Sequence, residues 1–220
     1  MDPAALWLTL KLAFCTTLAL LLIGLPLGYW LARTRWRWRF LVEAVVGLPL
    51  VLPPTVVGFY LLIATGPHSL VGRTYETLTG SMLPFSFQGI LLASIIYNLP
   101  FAVRPFASAF ATIDQRLLEA SWCLGVSRMK TFLRVACPIA WPGILTGIVL
   151  TFAHTVGEFG VVLMIGGNIP GITRTLSISI YDDVQALDYG SAHQTAFALL
   201  LFSFVALTIT YSLQRRTVPL

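Results

Sequence analysis

From Leu12 to Ala32 the chain carries no charged residue. A helix needs about 20 apolar residues to cross the hydrocarbon core of a bilayer, so this run is long enough alone. It is not isolated. Further apolar windows predict spans over about 7–31, 40–65, 87–110, 139–157 and 191–213. Only 10% of the 220 residues are charged, against about a quarter in soluble domains, so the chain cannot cover a water-facing surface with ionic groups. The reading is an all-α integral membrane protein: one transmembrane domain over 1–220 with five core spans. A sixth segment stays open: Phe159–Thr173 is uncharged, short and glycine-rich. It is either broken or re-entrant, or a helix that barely crosses. Irregular backbone survives at membrane depth only against protein or a water-filled cavity.

Lysine and arginine placement orients the spans. Arg33, Arg35, Arg37 and Arg39 follow the first. Arg104, Arg116, Arg128, Lys130 and Arg134 follow the third, and Arg215 and Arg216 the last. Five spans put these on one side, predicted to be cytoplasmic. The N-terminus is then outside and the C-terminus inside. Asp2 precedes the first apolar core and the arginines follow it, the reverse of a signal peptide. Lys11 can snorkel to the near interface. Trp36 and Trp38 suit an interfacial position.

Proline is dense within the spans, and each can kink a helix. The pairs Gly24/Gly28 and Gly143/Gly147 have the small-xxx-small spacing that lets helices approach. Cys15, Cys123 and Cys137 form no CxxC pair and read as small buried hydrophobes. Three histidines, one of them deep in a span, do not make a haem or metal centre. There is no G-x-x-x-x-G-K-[ST] phosphate loop, so the chain has no ATPase motif of its own. It is not expected to be an enzyme or to need a cofactor.

The segment 111–138 separates two spans with far more than a turn. Ile113, Leu117, Ala120 and Leu124 fall on one helical face. Their flanks are charged, so the stripe must bury against another protein or the chain's own helix ends. Gly125 suits a left-handed C-terminal position, Ser127 can cap a second helix, and Pro138 is predicted to close the segment. The chain therefore reads here as helix, glycine bend, helix.

Glu119-Ala120-Ser121, three residues, Gly125, nine residues, then Val135-Ala136-Cys137-Pro138 resembles the signature of ABC importer permeases. Ser121 stands where the family pattern has Ala, and Val135 and Cys137 where it has Ile and Leu. "LPLVLPPTVVGFYLL" at 48–62 and "GEFGVVLMIGGNIPGITRTLSISIY" at 157–181 look most like molybdate permeases, with sulfate permeases close. The resemblance implies a type I importer fold and a homodimer with two cytoplasmic ABC ATPase subunits, which hold the ATP and magnesium. It also implies an extracytoplasmic oxyanion-binding protein, in the inner membrane of a bacterium. No nucleic-acid partner is expected. On that analogy Leu117, Glu119, Ala120, Ser121, Leu124 and Gly125 form the coupling segment gripped by the ATPase.

Glu158, Gly160, Arg104 and Asn168 are the gate or pathway candidates. An ionisable residue within a span is functional by default. Glu158 lies four residues after His154 on one face, which fits a gate-region structural pair or, as the sharper alternative, a proton relay. Arg104 either snorkels or meets an oxyanion at its exit. Arg174 fits docking of the binding protein. Glu43 reads as a surface ion pair with Arg37 or Arg39. No ring of cations marks an oxyanion site within the spans. Molybdate is therefore not separated from tungstate or sulfate, and an ion-gradient carrier working through His154 and Glu158 is the rival class.

Overall fold

The computed structural model describes residues 2–215, and the side chains at 209, 210 and 213–215 are outside that description. Arg216, and the side chain of Arg215, which count toward the charge asymmetry, thus lie outside the described residues. The helices are α1 (Pro3–Arg33), α2 (Arg39–Val51), α3 (Pro54–Thr65), α4 (Leu70–Thr79), α5 (Phe87–Ala111) and α6 (Gln115–Cys123). They continue with α7 (Arg128–Thr131), α8 (Cys137–Val156), α9 (Gly160–Gly166), α10 (Leu176–Gln185) and α11 (Tyr189–Arg215). No strand occurs among the described residues. Four helical stretches are long and apolar enough to cross a membrane: Pro3–Arg33, Phe87–Ala111, Arg128–Val156 and Tyr189–Thr208. The pair α2–α3 passes the same test only when taken together.

That pair departs from the straight span predicted over 40–65. Its two helices meet at 114°. Pro53 and Pro54 are the cause. A residue before proline is pushed out of the α region, and two prolines in succession do this twice. Leu52 and Pro53 accordingly have ψ of 139° and 137°. Pro26, Pro49, Pro100, Pro105 and Pro142, each alone, stay inside helices.

Pro138 likewise does not close the segment 111–138. The helix runs on from Arg128 to Val156, with a π-helical turn at Phe132–Ala136. Proline removes a donor and its ring crowds the carbonyl four residues back. The wider turn, bonded five residues back from the Cys137 N–H to Phe132 O, sits just where that crowding has to be relieved.

The sixth crossing is excluded by length. Helix α9 has seven residues, a rise of about 10 Å, against a core of about 30 Å. It buries Val161, Val162 and Ile165 instead, and packs on α3 and α5.

Helix α5 is the centre of the bundle, packed against α1, α8, α9 and α2. Phe106 is its pivot residue, 1% exposed. A Cβ at Gly28 would fall 2.8 Å from Phe106 Cβ, and one at Gly147 would fall 2.5 Å from Phe106 Cε1. Gly24 also faces this ring and Gly143 meets Ala109. Both glycine pairs therefore seat α1 and α8 on the same turn of α5. Leu20, Phe110, Ile113, Leu118, Ala136 and Ile144 continue this core toward the basic end of the bundle, where Arg33–Arg39 and Arg128–Arg134 lie. A second core of Leu12, Val57, Ile90, Val161, Val162 and Ile178 fills the opposite end.

Candidate functional site

At the basic end, Asp114 caps α6 by accepting from the Arg116 N–H at 2.9 Å. The helix stops at Gly125, whose φ of +78° lies where only glycine is unstrained. Ser127 then caps α7 through the Lys130 N–H. Leu118 is the side chain that α6 buries, 1% exposed. Leu117 (50%) and Leu124 (83%) are exposed, as are Glu119 and Ala120. Of the predicted stripe only Ile113 is buried. The rest of the stripe is exposed and faces outward beside Glu119.

Ser121 does not belong to that outward face. Its hydroxyl is buried and lies 2.9 Å from Thr131 Oγ1, pinning α6 to α7 across the glycine bend. Spacing alone does not show this, because the partner follows a turn whose geometry decides the pairing. Arg33 anchors the other side: its Nη2 donates to Phe110 O at 2.7 Å and Ile113 O at 2.8 Å. It thereby caps the C-terminal end of α5 with a cation, where the helix dipole favours one. Cys123 is exposed, while Cys15 and Cys137 are partly buried.

At the opposite end two interruptions meet. The α2–α3 break places Pro54 and Thr55 beside the Gly157–Gly160 break between α8 and α9. A Cβ at Gly160 would lie 2.9 Å from Pro54 Cβ. A cavity of about 360 Å³ opens here, lined by Pro54, Thr55, Tyr97, His154, Gly157, Glu158, Phe159 and Gly160. Glu158, 4% exposed, does not bond His154 directly. Asn98 of α5 stands between them. Its Nδ2 donates to Glu158 Oε2 at 2.8 Å and to Ser94 O at 2.9 Å. With both amide hydrogens used, Asn98 Oδ1 accepts from His154 Nδ1 at 2.8 Å. His154 stacks on Phe101, ring centres 3.9 Å apart. Glu158 Oε1 is buried without a hydrogen-bond partner among the described residues. Asn98 was missing from the sequence-derived candidates. A lone asparagine in a helical pattern carries no signal until a break in another helix is known to face it.

Asn168 and Arg104 lie elsewhere. Asn168, with φ +59°, donates to both Asp182 oxygens at 2.9 and 3.0 Å and accepts from Arg174 Nε at 2.8 Å. Arg174 also pairs with Asp182 at 3.4 Å. The three clasp the loop between α9 and α10. Arg104 lies against Gly47 of α2 in a cavity of about 430 Å³ that also holds Arg39 and Glu43. Glu43 pairs with Arg39 at 3.8 Å, both half exposed. Among the described residues no cluster of His, Cys, Asp and Glu could hold a metal ion.

A family model described as "Binding-protein-dependent transport system inner membrane component" matches residues 24–219. The chain belongs to this family. It is 51% identical over 214 residues to the molybdenum transport system permease protein ModB of Azotobacter vinelandii, covering 97% of this chain and 95% of that one. It is 32% identical over 216 residues to a probable sulfate transport system permease protein of Chlorella vulgaris, covering 97% and 81%. A structure of the MetNI methionine ABC transporter, facing inward, superposes with a TM-score of 0.73 at 20% identity, covering 98% and 95% of the two chains. The fold of this transport component is that of an ABC importer transmembrane domain.

Proposed function

We propose that the chain is the membrane-spanning subunit of an ATP-driven molybdate importer in a bacterial inner membrane. The observation that carries the reading is the 51% identity to a molybdenum permease along nearly the whole of both chains. Two copies enclose the pathway about a two-fold axis, and an extracytoplasmic binding protein delivers the anion. The basic end is cytoplasmic, the N-terminus outside and the C-terminus inside, following the lysine and arginine asymmetry. Two ATPase subunits, which hold ATP and magnesium, grip α6 through Leu117, Glu119, Ala120 and Leu124. Gly125 fixes the bend and Ser121 ties it to α7. From α7 the helix is continuous to Val156, one residue before the break that carries Glu158. Closure of the ATPases at α6 is thereby transmitted to the outer cavity. There Asn98 holds α5 and the break together as part of the gate. Gly160 permits the close approach of Pro54.

The test is the complete complex in proteoliposomes with its binding protein. Molybdate is expected to stimulate ATP hydrolysis more than sulfate does, with tungstate as the arm that separates the two group 6 anions. Uptake that persists after loss of every ATPase partner would instead favour an ion-gradient carrier acting through His154 and Glu158.

A further inference from the structure

A further cavity, of about 250 Å³, lies at the root of α6 and is lined by Tyr29, Arg33, Gln115, Leu118, Trp122 and Arg128. Its polar chemistry is one-sided. Arg33, Trp122, Arg128 and Tyr29 all bring donors. The only side-chain acceptor without a donor hydrogen, Gln115 Oε1, already takes Arg33 Nη1 at 3.3 Å. No carboxylate lines the space. Arg128 forms no ion pair among the described residues, and its guanidinium lies over the Trp122 ring, 5.7 Å from the ring centre.

Two of the lining side chains carry a sealed, unpaired N–H: Arg33 Nε and Trp122 Nε1 are buried and bond to no other group among the described residues. A buried donor left unmade forfeits its hydration without a replacement bond, and such groups are rare enough in native structures to need a reason. Two of them on one cavity, beside two guanidinium groups and no acid, have a common reason in an anion. The Arg128 guanidinium matches the paired oxygens of a phosphate-like ion; Arg33, whose Nη atoms already bond Gln115 Oε1, Phe110 O and Ile113 O, adds its Nε, and an indole N–H is donor only. A water occupies about 30 Å³ of liquid, so the space admits a central atom with four oxygens and several waters.

We infer that this cavity binds a tetrahedral oxyanion between Arg33, Trp122 and Arg128, bridging α1, α6 and α7 at the cytoplasmic surface. Both N–H groups are closed off in the present arrangement, so occupation needs a small displacement of α6 from α1. The ion thus favours one position of the segment that the ATPase grips. Two sources share the chemistry: a free inorganic oxyanion in the cytoplasm and the phosphate of an anionic phospholipid.

The experiment uses the full chain in nanodiscs and reads binding rather than transport, so it stands or falls separately from the assignment of cargo. In phosphatidylcholine nanodiscs, molybdate, sulfate and phosphate are titrated by calorimetry. In nanodiscs containing phosphatidylglycerol, native mass spectrometry counts retained lipid. Saturable ion binding that Arg128→Gln weakens about tenfold or more, the loss of one charge-assisted contact, assigns the free ion. One retained phosphatidylglycerol per chain, lost in Arg128→Gln, assigns the lipid. Trp122→Phe keeps an aromatic face beside Arg128 while removing the N–H together with the second ring of the indole, and is expected to weaken whichever ligand binds. The inference is overturned if wild type takes up neither, or if both variants bind as wild type does.

Discussion

The cavity beside Glu158 depends on single groups. Asn98 bridges Glu158 Oε2 and His154 Nδ1. Asn98→Leu, close in volume, orphans both. Each buried group left unpaired costs roughly 1–3 kcal/mol, so a clear fall in the thermal midpoint of purified protein is expected. Glu158→Gln retains an acceptor for Asn98 and is expected to be much milder. Equal midpoints for the two variants would remove Asn98 from its bridging role. Phe106 gives a second test. Gly147→Ala pushes a methyl to 2.5 Å from the ring, and overpacking of this kind costs about 1–3 kcal/mol. An alanine at the exposed position Gly80, which ends α4, meets nothing within 4 Å and costs only the strain of its φ of +72°, about 1–2 kcal/mol. Residues of this sort were only partly legible. The glycine spacing announces close packing but not that both pairs converge on one phenylalanine, because that depends on the register of three helices.

Among the elements, the long helices were readable because one apolar run is one helix, as the match of 87–110 to Phe87–Ala111 illustrates. Breaks were less so. A proline inside a helix and a proline ending one look alike in sequence. Pro138 passes through a π turn, whereas Pro53–Pro54 bends the chain, and the difference is that two successive prolines exclude the α region at two residues. The bend after α6 was legible because glycine in the left-handed region leaves a fixed signature. Gly125→Ala is expected to strain that bend by about 1–2 kcal/mol. It should lower transport more than membrane insertion, which uptake and surface labelling of one preparation would separate. Helix α11 carries its own pH response. Hydrogen bonds from Ser191 hold the Asp188 carboxyl below its ordinary value. A carboxyl depressed in the folded state stabilises above its unfolded pKa and loses that contribution as pH falls through the folded one. Amide exchange at Ser191 should therefore quicken, beyond its intrinsic pH trend, in the acid range below the ordinary carboxylate value. Asp188→Asn should remove that acceleration.

For the whole molecule, the face formed by Leu117, Ala120 and Leu124 is exposed among the described residues. Glu119→Lys reverses the charge beside that face and gives up the exposed bond from Gln115 Nε2 to Glu119 Oε1 at 3.2 Å. Loss of uptake with normal membrane content is the expected result, and normal uptake would remove α6 from coupling. The continuous helix from Arg128 to Val156 has 29 residues, about 43 Å at 1.5 Å per residue. Had Pro138 cut it, a push at one surface would dissipate in a joint halfway. Unbroken, a stiff rod held near its middle by Phe106 needs a tilt of only about 10° to move either tip by ~4 Å, taking half that length as the arm. Small strokes at one face of the bilayer thus suffice to part or close contacts the width of an ion at the other.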